Sequence, residues 1–326
     1  MSSNNSLSNK QSRAVSVGVL IQRFSPIFIL LILITFMSFA SDMFFQVANF
    51  INIIRQVAIL GVVAMGMTLV ILTAGIDLSI GSLMAVSAGV MGIAATELGI
   101  HPVPAVILGL SAGVLLGVVN GIVVSKGKIQ PFIATLGMMV AARGIVLLLT
   151  GGLAVRDIPE PMLVIGSRFL GGIPQSAYVL AAVAIVAWVL LNKTTLGRNI
   201  VAIGGNAEAS RTSGIRVERT KIIVYGICGF FCGIAGFLYM GRVNSVPPLM
   251  GTGMELQAIT AVALGGTSLS GGNGSMVGTV IGVLTIGVLN NGLNLMQVSA
   301  AWQQVILGGM IVVVVILDSW RKRKFD

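Results

Sequence analysis

Polar residues are scarce along this chain and gather at the ends of long apolar runs, ten of which stand out. They cover residues 24–40, 55–73, 78–97, 103–124, 131–150, 177–191, 221–240, 253–269, 275–296 and 302–317. A hydrocarbon core of about 30 Å takes about 20 helical residues to cross. In lipid, backbone N–H and C=O groups must be satisfied within the segment, so each run predicts a helix. The pattern therefore predicts an all-α fold, a polytopic transmembrane helical bundle of about ten spans. The eighth run differs from the rest: Glu255 and Gln257 sit near its start and Gly265 and Gly266 near its end. It reads either as a full span or as a broken helix shielded by protein.

Composition makes the membrane reading firm. Hydrophobic residues make up 56% of the chain and charged residues 9%, where soluble domains carry about 25% charged residues. The 42 glycines fit helices whose backbones approach closely. Ten spans put both termini on one side, and positively charged short loops stay cytoplasmic. With a cytoplasmic N-terminus, the outer loops hold only Arg55, Arg156, Arg168 and Arg242, and Arg143 falls within a span. Every other Lys and Arg lies inside. The net charge of +10 is thus an orientation signal and a match to anionic membrane lipid, and it calls for no nucleic acid. The expected organisation is a cytoplasmic segment 1–23, a transmembrane domain 24–318 with a long cytoplasmic loop 192–220, and a basic cytoplasmic tail 319–326. Ser38, Phe39 and Ala40 resemble a signal-peptidase site, but the long polar lead before them favours an uncleaved first helix.

Several chemistries find no support. The two cysteines, Cys228 and Cys232, lie four apart in one apolar run and read as packing residues, and the lone His101 sits in a loop without a ligand cluster. No metal site, catalytic residue or cofactor bound by this chain is expected. No G-x-x-x-x-G-K-[ST] phosphate loop occurs; the nearest string, 125–128, has the wrong spacing. An ion-coupled secondary transporter of small polar solutes, the alternative reading, would usually keep carboxylates near the bilayer midplane. Asp77, Glu97 and Glu255 lie instead near span ends.

The loop 192–220 contains a short helix with both ends marked. Asn206 can cap its first turn, Glu208 places an acid at its positive end, and Gly214 supplies the residue that stops it. A solvated loop helix would look the same, and the resemblance to known proteins decides between them. The string LGRNIVAIGGNAEASRTSGI at 196–215 resembles the loop of sugar ABC-transporter permeases of the ribose, xylose and autoinducer-2 group. Residues 66–82 (GMTLVILTAGIDLSIGS), 128–137 (KIQPFIATLG) and 251–272 (GTGMELQAITAVALGGTSLSGG) resemble the same family, and 289–295 (LNNGLNL) is most like its ribose importers. The first 23 residues carry no such likeness. The resemblance implies a non-enzymatic permease subunit of an ATP-binding-cassette importer for a sugar, ribose first. It implies an ABC ATPase subunit that holds ATP and Mg, an extracytoplasmic sugar-binding protein, and a second permease copy in a homodimer. In that family the loop docks on the ATPase. Carried over by position, Gly204, Gly205, Asn206, Glu208, Ala209, Arg211, Gly214 and Ile215 would form the ATPase-coupling loop.

Polar residues in or beside spans are candidates for the translocation pathway: Asp77, Arg143, Glu255, Asn290 and Asn294. Asp77 reads first as a helix cap and second as a pathway group. Arg143 must find water or a partner such as Glu255, because an unpaired cation in a span is costly. Asn290 and Asn294 share one helix face, where amides meet either sugar hydroxyls or neighbouring helices. Two glycine-rich connections between spans, 72–82 and 264–275, hint at an internal repeat.

Overall fold

A computed structural model describes residues 26–323, with side chains described to residue 316. The segment 1–23 and the end of the basic tail lie outside the described residues. Apolar helices follow the predicted spans in order. They are α1 (Pro26–Ala40), α2 (Val47–Leu72), α3 (Ile80–Thr96), α4 (Pro102–Ser125) and α5 (Pro131–Thr150). A short α6 (Glu160–Ser167) and a two-stranded antiparallel ribbon, β1 (Phe169–Leu170) and β2 (Ile173–Pro174), lead to α7 (Gln175–Lys193). Then come α8 (Thr195–Gly205), α9 (Ala207–Thr212), α10 (Val217–Val243), α11 (Met254–Leu264), α12 (Met276–Leu295) and α13 (Ala300–Arg323).

Among the described residues, α2, α4, α5, α7, α10 and α12 are long and apolar enough to cross a membrane. The helices at the other four predicted spans, α1, α3, α11 and the apolar stretch 300–316 of α13, are shorter. The difference is largest at α11, where 11 residues amount to about 16 Å of helix, half of a hydrocarbon core. The broken-helix reading of the eighth run is the one the structure takes. The second span moves the other way. Apolar periodicity continues upstream of residue 55, so α2 begins at Val47 and Arg55 lies within it. Its guanidinium donates to the Ser167 carbonyl at 2.8 Å and stacks 4.7 Å above the Phe169 ring, contacts that let a cation sit on an apolar helix.

Helix starts follow local chemistry. Pro102 and Pro131 open α4 and α5, where a missing N–H costs nothing. Thr194 caps α8 and Ser275 caps α12 by accepting from N–H groups three residues on.

Two kinds of helix result. The α2 residues from Val57 to Leu72 are all buried, and α3 is buried over nearly its full length. In contrast, α4, α5 and α7 present rows of exposed Leu, Ile, Val and Phe. In water that surface would be unfavourable; against acyl chains it is the matching solvent. Outer and inner helices meet at glycines. Gly113 and Gly117 of α4 lie against the Gly229 and Tyr225 carbonyls of α10, too close for any side chain, which is the close approach that small residues permit. The pair Cys228 and Cys232 is buried on the same helix.

Candidate functional site

The loop 192–220 is built as two helices. The first, α8, was not singled out in the sequence; Thr194 caps it, and its Ile200 and Ile203 are buried. The second, α9, is the helix the sequence marks. Its Asn206 side chain accepts from the Ala209 N–H at 2.9 Å. At its other end Gly214 takes φ +85°. There the Gly214 N–H donates to the Arg211 carbonyl and the Ile215 N–H to the Ser210 carbonyl, both at 3.0 Å. This double closure is the Schellman arrangement, and it needs a residue free to adopt positive φ. Glu208, Ala209 and Arg211 are exposed, so α9 presents a capped, outward-facing surface.

Arg211 adds a strut that was not evident beforehand. It pairs with Glu208 at 3.0 Å and with Glu218, in the first turn of α10, at 2.5 Å. The Glu218 hydrogen bond raises the guanidinium pKa above its ordinary value. The signal was present in the sequence as an acid seven residues after Arg211, but only the Gly214 turn brings the two together.

The base of this loop touches two other connections. The chain reverses between α2 and α3 through Thr73 and Ala74, and between α11 and α12 through 265–275. The Gly272 N–H donates to the Leu72 carbonyl at 3.1 Å. Gly204 lies against that same carbonyl and against Gly272, leaving no room for a Cβ. A Cβ on Gly271 would lie 2.7 Å from the Ala74 backbone nitrogen. The two glycine-rich connections singled out in the sequence are thus neighbours, and α8 ends on both.

The five pathway candidates do not form one cluster. Asp77 is fully buried; its Oδ1 accepts from the Ser79 N–H at 2.9 Å and the Ser79 hydroxyl at 2.6 Å. Asn120 of α4 donates to the Ser79 hydroxyl oxygen at 2.8 Å. Asp77 therefore braces the turn into α3, while Ser79 itself is the N-cap. Arg143 finds carbonyls: it donates to Pro248 O at 2.9 Å and Met250 O at 3.0 Å, and makes no ion pair with Glu255. Glu255 accepts from the Gly253 N–H at 3.2 Å, and its other oxygen lies over Gly81. The segment 244–253 thus runs beside α3 with Arg143 pinning its middle and Gly251 pressed on Gly81. Asn290 donates to Gln257 of α11 at 3.2 Å, whereas Asn294 accepts from Gln303 of α13 at 2.8 Å. Both amides serve contacts between helices.

Two features were missed in the sequence. Asn291, between those two amides, exchanges hydrogen bonds with Asn49 of α2 at 3.0 and 2.7 Å in a buried pair. A cleft of about 500 Å³ opens between the end of α3 and residues 150–159, with Glu97, Arg156 and Asp157 on its wall. None of the pathway candidates lines it.

Apolar helices with lipid-suited faces, packed through glycine around the buried α2 and α3, define a multi-pass, all-α membrane protein. The chain belongs to the family described as branched-chain amino acid transport system / permease component, which matches residues 49–315. It is 44% identical to the ribose import permease protein RbsC of Bacillus subtilis (strain 168) over 314 residues, 96% of this chain and 97% of that protein. The corresponding protein of Escherichia coli (strain K12) is 44% identical over 294 residues, 89% of this chain and 91% of its own length. The fructose import permease protein FrcC of Rhizobium meliloti is 37% identical over 307 residues, 91% of this chain and 85% of its own. No solved structure gives a significant match.

Proposed function

We propose that the chain is the membrane-spanning permease subunit of an ATP-binding-cassette importer that passes a sugar, ribose first, through the bacterial inner membrane into the cytoplasm. In this reading about ten segments span or enter the bilayer, and both termini and the loop 192–220 face the cytoplasm. Two copies pair around the pathway. A separate ATPase, carrying ATP and Mg, docks on Gly204, Gly205, Asn206, Glu208, Ala209, Arg211, Gly214 and Ile215. A binding protein on the outer side delivers the sugar, which passes near Asp77, Arg143 and Glu255, with Asn290 and Asn294 further along.

One observation carries this reading: a short helix, capped at both ends and braced by Arg211 and Glu218, stands out from the loop that also touches both glycine-rich connections. Its rigidity matters because only a stiff element can pass a rigid-body motion to the spans. Near full-length identity to ribose and fructose permeases favours a sugar over the amino acids in the family's description.

Replacing Ala209 with Glu, or Gly214 with Pro, should abolish co-purification with the ATPase while the protein still accumulates in the membrane. Retention of the ATPase by both variants would contradict the docking assignment. Competition among labelled ribose, xylose and galactose for uptake in cells carrying the whole system should show ribose dominating.

A further inference from the structure

We propose that Gly204, Gly272 and the Leu72 carbonyl form the joint that passes motion of α8 and α9 to the membrane core; the inference rests on the docking role of that loop. The last carbonyls of a helix have no partner within it, and α2 satisfies its Leu72 carbonyl with the N–H of Gly272, from a connection 200 residues later in the chain, at 3.1 Å. Gly204 closes over the same bond with its own backbone, and a Cβ there would overlap Leu72 O and Gly272 N. From the other side, a Cβ on Gly272 would lie 2.9 Å from Gly205 N. Gly271 and Gly272 hold φ of +89° and +73°, and Ala74 opposite them holds +58°. Three stretches of chain therefore meet backbone to backbone, with no flexible side chain between them to absorb a displacement.

What lies behind the joint makes it directional. Leu72 ends a helix buried without a break from Val57 onward, and the turn after it leads through Asp77 into α3. Gly272 leads into α12 and follows α11, whose Glu255 overlies Gly81 of α3. Movement of α8 thus reaches α2, α3, α11 and α12 through one contact. Gly204 and Gly272 are positioning residues in this scheme, acting on the pathway through the helices they hold.

The test uses the full complex of permease, ATPase and binding protein in proteoliposomes, with tritiated ribose as the probe. A second readout is a fluorophore on Ser270→Cys, in a Cys228→Ala/Cys232→Ala background, reporting ATP-driven movement of the 264–275 connection. Gly271→Ala and Gly272→Ala, both outside the docking loop, should keep the ATPase bound and hydrolysing ATP. Ribose moved per ATP and the fluorescence response should both fall by about tenfold, within the usual range of coupling between sites. Gly137→Ala, in open space on α5, should leave both unchanged. An unaltered ratio and response in the glycine variants would overturn the joint. Loss of the ATPase in Gly272→Ala would also overturn it, by making the 264–275 connection part of the docking face. Should Gly272→Ala not accumulate, Gly271→Ala decides alone, since its added methyl meets the Ala74 backbone in the same turn. If wild-type complex moves no ribose, the proposed substrate fails, and the fluorescence arm still judges the joint.

Discussion

The connections 72–82 and 264–275 look alike in sequence, are neighbours in space, and are held by different means. The first is fixed by side chains: Asp77 accepts two bonds from Ser79, Asn120 donates to Ser79, and the Thr135 hydroxyl accepts from the Leu78 N–H and donates to the Ile76 carbonyl, each at 3.1 Å. The second is fixed by absent side chains. Gly265 and Gly278 press backbone on backbone, and Gly282 lies against the Ala261 carbonyl. A buried hydrogen-bond network resists deformation because every lost bond orphans a polar group. Glycine contacts constrain distance, and the bonds of the second connection run mainly through backbone, the Gly272 N–H to the Leu72 carbonyl among them, so the first connection is suited to act as a side-chain brace and the second as a slide.

The sharpest way to break this contrast is at Asp77. Asp77→Ala removes the acceptor for a buried N–H and a buried hydroxyl, and each orphaned donor should cost about 1–3 kcal/mol. A large fall in the thermal unfolding temperature in detergent is expected, with Asp77→Asn, which keeps one acceptor oxygen, falling less. Next comes Gly278→Ala. A methyl against the Gly265 carbonyl should cost about 1–3 kcal/mol by overpacking, seen as lower unfolding temperature and weaker hydrogen-exchange protection in α11. The buried amides Asn49 and Asn291 join the α2 and α12 helices that start or end the two connections. A double-mutant cycle to Ala should return a coupling of about 0.6–1.7 kcal/mol. The smallest effect belongs to Ser275→Ala. Its capping contact to the Gly278 N–H is long, at 3.4 Å, so about 0.5 kcal/mol is expected. If side-chain removal at Ser275 proved costlier than the added methyl at Gly278, the distinction between brace and slide would collapse.

How much of this was legible in the sequence depends on whether the signal was local. Helix positions were readable because apolar runs and proline starts act within a few residues, and the α9 caps were readable for the same reason: Asn206, Glu208 and Gly214 mark a helix of six residues. The segment 244–253 was not, since an irregular stretch carrying Pro247, Pro248, Gly251 and Gly253 has no period to detect, and it is held by Arg143 from a helix more than 100 positions away. Glu255, named as one example of a partner for Arg143, lies in the right neighbourhood, but the guanidinium bonds go to the Pro248 and Met250 carbonyls, because charge can be read from sequence and backbone carbonyls cannot. The two glycine-rich connections were visible as similar strings. Their contact through Leu72 and Gly272, and the seating of Gly204 upon it, depends on the packing of four helices and leaves no trace in any one of them.

The central claim is that this chain conducts a sugar without powering the movement itself. Its most direct test is tritiated ribose uptake into proteoliposomes holding the permease, ATPase and binding protein, with ATP and ion gradients varied separately. Uptake should require ATP on the side of the ATPase and be indifferent to collapse of proton and sodium gradients. Uptake that persists without ATP and follows either gradient would contradict the account.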